Sequence, residues 1–509
     1  MDLQLSPVEK QSRLLTIPLE VLLNISSHLT TAEYGNLRRT CRHIEASFYK
    51  SFAKEFFTKR QFMITPFSLE ALVDISKSRF ASSVKYLIIS LERPPAATHI
   101  NSLSPPPFTD LDGALSFNKM RQEKSLHQSL VSSGEDSMLL TEALQGLTNL
   151  ETVGLRDFAS SGRWREGLDH NWQTYGAPTF LAETGGYMLE VPRFDHHIDI
   201  TVQDGPIKYI SHTFLTILRA LGKTQNTHNP PRLECILRHC HLPDQAFHIP
   251  RYLESAIFPL LNGLKTLFLD LGSASFSPIV INDEGSFKRY LALSVVMFLS
   301  KTPALEHLRL NFRSSLEHET TDLLQWLAQD PTESQTTASA AQDMAHVNDL
   351  RVNLLPRLPQ SPEFPHLVQL DIGMITIRPS LLLSIFKKFK STLRQISLHR
   401  IVLQCAQIHN TESKVNHWAK LLKHIAKLQL DLSAVKLSYL KQKHGHSMFP
   451  ALFKDLSKDT NARSVLVVEW AGQDWKRFST EVIESVHINW QNGLNNQDGE
   501  LGSSDSEGK

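Results

Sequence analysis

The chain has 509 residues, with 53 lysines and arginines against 52 aspartates and glutamates and 41% hydrophobic residues, which excludes a chain that is disordered throughout. Its net charge of +1 lacks the cationic surplus that nucleic-acid backbones attract, so we expect no nucleic-acid partner. The longest apolar run is about half the roughly 20 residues that cross a bilayer, so we predict no membrane segment. The four cysteines are scattered and no secretory signal is visible, so we expect a cytoplasmic and/or nuclear protein.

Three short helices are predicted first, and together they indicate a trihelical domain over residues 12–60. Pro18 and Glu20 favour the start of an amphipathic helix over residues 17–29. Thr30-Thr31-Ala32-Glu33 has the spacing of a capping box and begins a second helix. Its expected apolar face is Tyr34, Leu37, Cys41 and Ile44. The third helix carries Phe48, Tyr49, Phe52 and Phe56. So small a unit cannot bury all its apolar side chains, so part of this surface should contact another domain or protein.

This segment resembles the F-box family in its sequence. The residues that carry the resemblance are Ile17-Pro18-Leu19-Glu20-Val21-Leu22, then Ile25, Leu29, Leu37 and Thr40-Cys41-Arg42, with Ile44 in place of the closing Trp. In the family, this unit docks on the Skp-type adaptor of a cullin-RING ubiquitin ligase. The resemblance therefore implies five adaptor-binding residues: Pro18, Leu19, Ile25, Leu29 and Cys41. We expect Val21, Leu22 and Leu37 to lie in the core of the helices instead.

The next four hundred residues repeat the order helix then strand. Strands are predicted over residues 61–64, 84–90, 150–155, 264–269, 305–310, 367–372, 393–398 and 428–432. Helices are predicted over residues 66–76, 138–144, 253–261, 287–299, from 379 and over 415–425. Neighbouring units must stack to bury their apolar faces. We therefore predict an α/β fold, in which an irregular leucine-rich-repeat-like solenoid over residues 61–488 follows the trihelical unit, with insertions at about 93–136, 156–205 and 329–347. The first insertion is polar and rich in proline, so we expect it to be a flexible excursion.

An F-box followed by such an array is similar to the substrate receptors of ubiquitin ligases, and most similar to fungal ones, which share the Gly154–Phe158 segment and an insertion rich in Arg, Trp and Tyr. The resemblance implies a non-catalytic receptor of an SCF-type ligase, whose partners are the adaptor and an unknown target protein. Trp, Tyr and Arg dominate interface hot spots. The candidate target-binding residues are therefore Arg163, Trp164, Arg165, Trp172 and Tyr175, with ordinary packing of the loop as the alternative.

Two clusters in the sequence combine residue types that ligate metals. Cys235, His239, Cys240 and His241 lie close together but lack a second, distant pair, so the cysteines are expected to pack at the edge of a strand. In Asp195-His196-His197-Ile198-Asp199, adjacent histidines on a strand point to opposite faces. Leu221-Gly222-Lys223-Thr224 lacks the earlier glycine of a phosphate loop. We therefore predict no metal site, cofactor or catalytic residue.

The C-terminal end is predicted to cap the array with a helix over residues 474–490, packing through Trp475, Phe478, Val482 and Val486, and to finish in a disordered tail over residues 489–509. Two alternatives to the receptor stay open. One is a non-degradative scaffold in which residues 1–60 are docked and unavailable. The other is an enzyme with an unrecognised site around Asp195–Asp199.

Overall fold

A computed structural model describes residues 13–95, 111–159, 164–166, 173–188, 200–224, 230–272, 293–312, 317–329, 359–404, 414–444, 447–454 and 464–491. Helices alternate with strands along most of these residues, so the predicted α/β class is confirmed. The chain divides into two compact units. The first consists of Met1–Glu151, Phe158–Leu189 and Glu507–Lys509, and the second of Thr152–Asp157 and Glu190–Ser506.

The first unit begins with three helices, α1 (Leu19–Ser27), α2 (Thr31–Arg39) and α3 (Arg42–Phe57). The predicted capping box is confirmed, because the Thr30 hydroxyl accepts from the Glu33 amide at 3.3 Å and the Glu33 carboxylate accepts from the Thr30 amide at 2.9 Å. The expectation that Cys41 and Ile44 continue the second helix is wrong. The Thr40 hydroxyl donates to the Leu37 carbonyl, which competes with the helical backbone, and Cys41 is extended.

An aromatic core holds the three helices together. Its buried members are Leu22, Tyr34, Ile44, Phe48 and Phe56. The Tyr34 ring meets Phe48 edge to face at 5.3 Å, and its hydroxyl lies 3.0 Å from the Ser51 hydroxyl. Burial raises the pKa of Tyr34. The core placement predicted for Leu22 is confirmed, and Leu37 packs partly buried against this core. The same prediction for Val21 is wrong, because 47% of this residue is exposed.

The rest of the first unit pairs two parallel strands and adds four helices. The strands are β1 (Lys59–Met63) and β2 (Tyr86–Ser90), with Lys59 opposite Tyr86. The helices are α4 (Pro66–Lys77), α5 (Leu111–Ser133), α6 (Glu135–Gly146) and α7 (Ala177–Thr184). Helix α4 packs so closely on α6 that a Cβ at Gly146 would lie only 2.6 Å from the Ser76 carbonyl oxygen. Glycine at this position therefore permits the close approach.

The predicted insertions at about 93–136 and 156–205 contain regular helices. Residues 111–136 lie in α5 and the start of α6, so the flexible excursion predicted for 93–136 is wrong over this part. Its prolines end at Pro107, and a segment without proline can form a helix. The insertion at 156–205 likewise contains α7 and the first turns of the next helix.

A parallel sheet forms the second unit. Its strands follow the order β3-β4-β5-β6-β7-β9-β11-β15, and only β15 runs antiparallel to its neighbour. They are β3 (Thr152–Arg156), β4 (Arg232–Ile236), β5 (Thr266–Leu271), β6 (His307–Phe312), β7 (Gln369–Gly373), β9 (Gln395–His399), β11 (Ala434–Ser438) and β15 (Val467–Ala471). The strand predicted at 428–432 is wrong, because β11 begins only at Ala434.

Helices precede or follow these strands along the chain. They are α8 (Ile200–Lys223), α9 (Arg251–Gly263), α10 (Leu293–Leu299), α11 (Glu317–Ala328), α12 (Pro379–Lys388), α13 (His417–Lys427) and α14 (Trp475–Ser485). The predicted last helix therefore ends at Ser485, five residues early. In the part of the chain that the structure describes, no helix is both long and apolar enough to span a membrane.

The strand register explains the Leu-x-x-Leu-x-Leu spacing. Leu267 pairs in turn with Leu308, Leu370, Ile396 and Val435 along one row, and all are buried. Because side chains alternate across a strand, the residues between them form a second, polar face.

A smaller sheet lies near the C-terminal end of the described chain, and no sequence pattern predicts its antiparallel part. Its strands are β8 (Thr376–Ile377), β10 (Val402–Leu403), β12 (Lys441–His444), β13 (Ser447–Lys454), β14 (Ser464–Val465) and β16 (His487–Ile488). Strands β8, β10 and β12 are parallel, whereas β13 is antiparallel to β12, β14 and β16.

Two buried aspartates accept hydrogen bonds from backbone amides that follow the strands. The Asp157 carboxylate accepts from three successive backbone amides, those of Arg238, His239 and Cys240, at 2.6–2.7 Å. Asp270 accepts from the Leu237 amide at 2.8 Å, and burial raises its pKa. These contacts satisfy loop amides that would otherwise be buried without partners.

Candidate protein-interaction sites

An exposed apolar patch lies on α1 and the residue before it. Leu19 is 43% exposed, Val21 47% and Ile25 43%, and Pro18 is also exposed. Pro18, Val21 and Ile25 are three and four residues apart, so they share one stripe of the helix. We call these four residues the α1 patch. Contiguous exposed apolar side chains of this kind mark protein interaction sites.

The predicted adaptor-binding residues do not all share this surface. Pro18, Leu19 and Ile25 belong to the α1 patch, and Cys41 is exposed at the start of α3. Leu29 is instead partly buried against the aromatic core. Adaptor binding by all five stays a prediction. Val21, which the sequence assigned to the core, belongs to the exposed set, because α1 turns Leu22 rather than Val21 toward the aromatic residues.

Arg165, from a short turn far along the sequence, holds the end of α1. Its guanidinium donates to the Leu29 carbonyl at 3.0 Å and to the Ser26 carbonyl, and it binds both carboxylate oxygens of Glu55 on α3. It also lies over the Tyr34 ring, 4.2 Å from the centroid. These carbonyls are at the C-terminal end of a helix, where cations are favoured and backbone acceptors lack helical partners.

The geometry around Arg165 is that of a buried anchor. Only 9% of its side chain is exposed, and the hydrogen bond to Glu55 raises the pKa of its guanidinium. The neighbouring Glu166 accepts from the Thr31 amide at 2.9 Å, at the first turn of α2. The turn Trp164–Glu166 therefore fixes the α1–α2 corner, a role that no local sequence signal indicates.

The candidate target-binding residues are placed differently from one another. Tyr175 packs against Phe67 and Phe62, with ring centroids 5.6 and 5.5 Å away, and its amide donates to the Gln61 carbonyl. Arg163, Trp172 and the side chain of Trp164 lie outside the described residues. The contacts of Arg165 and Tyr175 lie within the chain, and target binding by the five residues stays a prediction.

A polar groove of about 750 Å³ lies on the polar face of the second unit's sheet. Paired residues cross its strands in one row: Arg309, Asp371, Ser397, Lys436 and Glu469. Asp371 accepts from Gln369 at 3.1 Å and lies 2.8 Å from His307 Nε2. Lys436 pairs with Glu469. The groove therefore offers polar and balanced charged groups at a size that ligand or peptide side chains fill.

The clusters considered as metal sites have a structural explanation or fall outside the described residues. Cys235 is buried in β4, as expected, and burial raises the pKa of its thiol well above the ordinary value, which disfavours the thiolate that binds metals. Over the described ranges, no group of three or more His, Cys, Asp or Glu side chains could hold a metal ion. Asp195–Asp199 lies outside those ranges.

Gly222, in the segment that resembles the end of a phosphate loop, lies within helix α8, where a Cβ would lie 2.4 Å from the Ala256 carbonyl oxygen. The glycine thus permits close helix packing.

Comparisons with known proteins bear on the N-terminal helices alone. No curated protein matches the chain. Residues 14–48 match the F-box domain family model, and this range includes α1, α2 and the whole α1 patch. The N-terminal helices are therefore identified as an F-box domain, the type of domain that binds Skp-type adaptors in cullin-RING ubiquitin ligases.

Proposed function

We propose that this chain is the substrate-recognition subunit of an SCF-type ubiquitin ligase. The observation that carries the proposal is the α1 patch, because it leaves four apolar residues exposed inside the segment that matches the F-box domain. In this role, the patch docks on the Skp-type adaptor, and other subunits transfer ubiquitin. The chain supplies binding surfaces in the cytoplasm and/or nucleus and no catalytic group.

The second unit is proposed to bind the target protein. Its helix–strand units stack their parallel strands in register, which supports an irregular leucine-rich-repeat-like solenoid. The groove on the polar face supports target binding there, since its side chains are not needed to bury the helices. The insertion residues Arg163, Trp164, Arg165, Trp172 and Tyr175 remain a second candidate surface.

The test of adaptor docking is co-elution of the purified full chain with a purified Skp-type adaptor on a sizing column. We expect a complex with the native chain and at least a tenfold loss of affinity for Ile25→Glu, because a charge would then be desolvated at the interface. Met138→Glu is the matched control, since Met138 is 59% exposed on α6. Loss of binding by both variants, or by neither, would contradict the proposal.

The non-degradative scaffold makes the opposite prediction. It requires the N-terminal helices to be docked within the protein, yet the α1 patch is exposed in the first unit. A native chain that recovers target proteins from cells but never an adaptor would favour that alternative.

A further inference from the structure

The outer faces of α12 and α13 carry an unusual concentration of positive charge. Helix α13 exposes Lys420, Lys423 and Lys427, and the neighbouring α12 region exposes Lys387 and Lys390. Neither helix contains an aspartate or glutamate. We call these five lysines the basic face. It supplies the local concentration of cations that the overall net charge of +1 conceals.

The basic face is held in place by the buried side of α13. Trp418, Leu421, Leu422 and Ile425 are buried, and the Trp418 indole donates to the Lys441 carbonyl at 2.8 Å. With one side of the helix fixed in this way, the lysines at i, i+3 and i+7 must project from the other. They span about 10 Å along the axis, at 1.5 Å per residue.

The lysines have no partner of opposite charge among the described residues. Asp431, which follows α13, pairs with Arg394 at 3.4 Å, and Glu481 on the adjacent α14 accepts from Arg477 at 2.8 Å. No ion pair joins a described acidic side chain to any of the five lysines. Their mutual repulsion is relieved when an acidic surface binds.

We propose that the basic face binds an acidic polypeptide segment of a partner protein. A protein fits better than a membrane, because α13 exposes no large apolar side chain that could enter a bilayer. It also fits better than nucleic acid, because both helices lack arginine and an exposed Trp, Tyr or Phe for contacts with bases. This binding is separate from adaptor docking, since the α1 patch belongs to the other unit.

The test measures binding of a fluorescent peptide of alternating Glu and Ser to the full-length chain by anisotropy, with a Gln/Ser peptide as the uncharged probe. We expect the Glu/Ser peptide to bind at low salt and to weaken as salt rises. Lys423→Glu with Lys427→Glu should weaken it about tenfold or more, because two attractions become repulsions. The matched control is Arg232→Glu with Arg251→Glu, which makes the same change in net charge at exposed positions of β4 and α9. Its affinity for the Glu/Ser peptide should stay within about twofold of that of the native chain.

A second pair of lysine variants and the adaptor assay separate loss of charge from general damage to the protein. Lys423→Gln with Lys427→Gln removes the charge without reversing it and should give an intermediate loss, and adaptor co-elution should persist in every variant. Equal binding of the two peptides, or no effect of the lysine variants, would overturn the proposal. Tighter lysine-dependent binding of duplex DNA or anionic vesicles would overturn the choice of partner. The choice of partner would also be overturned if the peptide bound only after the acidic residues near the C-terminus, Asp498, Glu500, Asp505 and Glu507, were replaced by their amides. In that case the chain's own tail would occupy the basic face in the native protein.

Discussion

The F-box helices and the parallel sheet both use a buried charge to satisfy backbone groups, but with opposite signs. In the helices, the Arg165 guanidinium donates to carbonyls at the end of α1. In the sheet, the Asp157 carboxylate accepts from three loop amides. The difference follows from which backbone groups each architecture leaves without partners, carbonyls at helix ends and amides in strand-to-helix loops.

The two side chains also differ in which segments of the chain they connect. Arg165 lies 136 residues from Leu29 and joins α1, α2 and α3, whereas Asp157 links loops that follow neighbouring strands β3 and β4. The F-box of this protein is therefore completed by a residue outside the matched range of residues 14–48. The sheet is stabilised by residues of its own strand-to-helix loops.

The largest effect is expected in the sheet. Asp157→Ala leaves three backbone amides without acceptors and should lower the free energy of unfolding by about 3–5 kcal/mol. Asp157→Asn keeps one acceptor oxygen and should recover part of this loss. Urea unfolding of both variants measures the difference. Equal stability of native chain and Asp157→Ala would refute the role assigned to the carboxylate.

Arg165→Ala tests the other half of the comparison. It removes charge-assisted hydrogen bonds and the contact with the Tyr34 ring, so the helices should lose about 2–4 kcal/mol. Amide hydrogen exchange in α1 and α2 should accelerate accordingly. Arg477→Ala is the control, because its side chain is 78% exposed although it also pairs with a glutamate, and it should leave exchange in α1 and α2 unchanged. Similar exchange in both variants would show that the F-box folds without Arg165.

The smallest effect concerns the capping box. Thr30→Ala should destabilise α2 by about 1 kcal/mol. The hydrogen bond from the Thr30 amide lowers the pKa of Glu33, so the contribution of Glu33 is present above its unfolded-state pKa and is lost as pH falls through the folded-state pKa. Because the Thr30 backbone amide remains in Thr30→Ala, the linkage is tested with Glu33→Gln, which has no carboxyl to titrate and should flatten the acid limb of the stability profile of the helices. A profile parallel to that of the native chain would contradict this linkage.

The sequence predicts well what neighbouring residues determine. The Thr30–Glu33 capping box, the helix starting at Pro66 and the strand at Leu267 depend on local spacing and were found. The turn at Thr40 was missed, because one hydroxyl competing with the backbone leaves no periodic signal. The Arg165 and Asp157 contacts were missed for a different reason, since they join segments far apart in the chain and no spacing rule relates them. The exposure of Val21 likewise depends on which neighbours α1 has.

Hydrogen–deuterium exchange of the full chain, with and without the purified Skp-type adaptor, tests adaptor docking most directly. We predict slower exchange in Leu19–Ser27 when the adaptor is present and no change in Glu135–Gly146, which exposes Met138 to a similar degree. A complex that forms while exchange in α1 stays unchanged, or no complex at all, would contradict the assignment of the α1 patch as the docking surface.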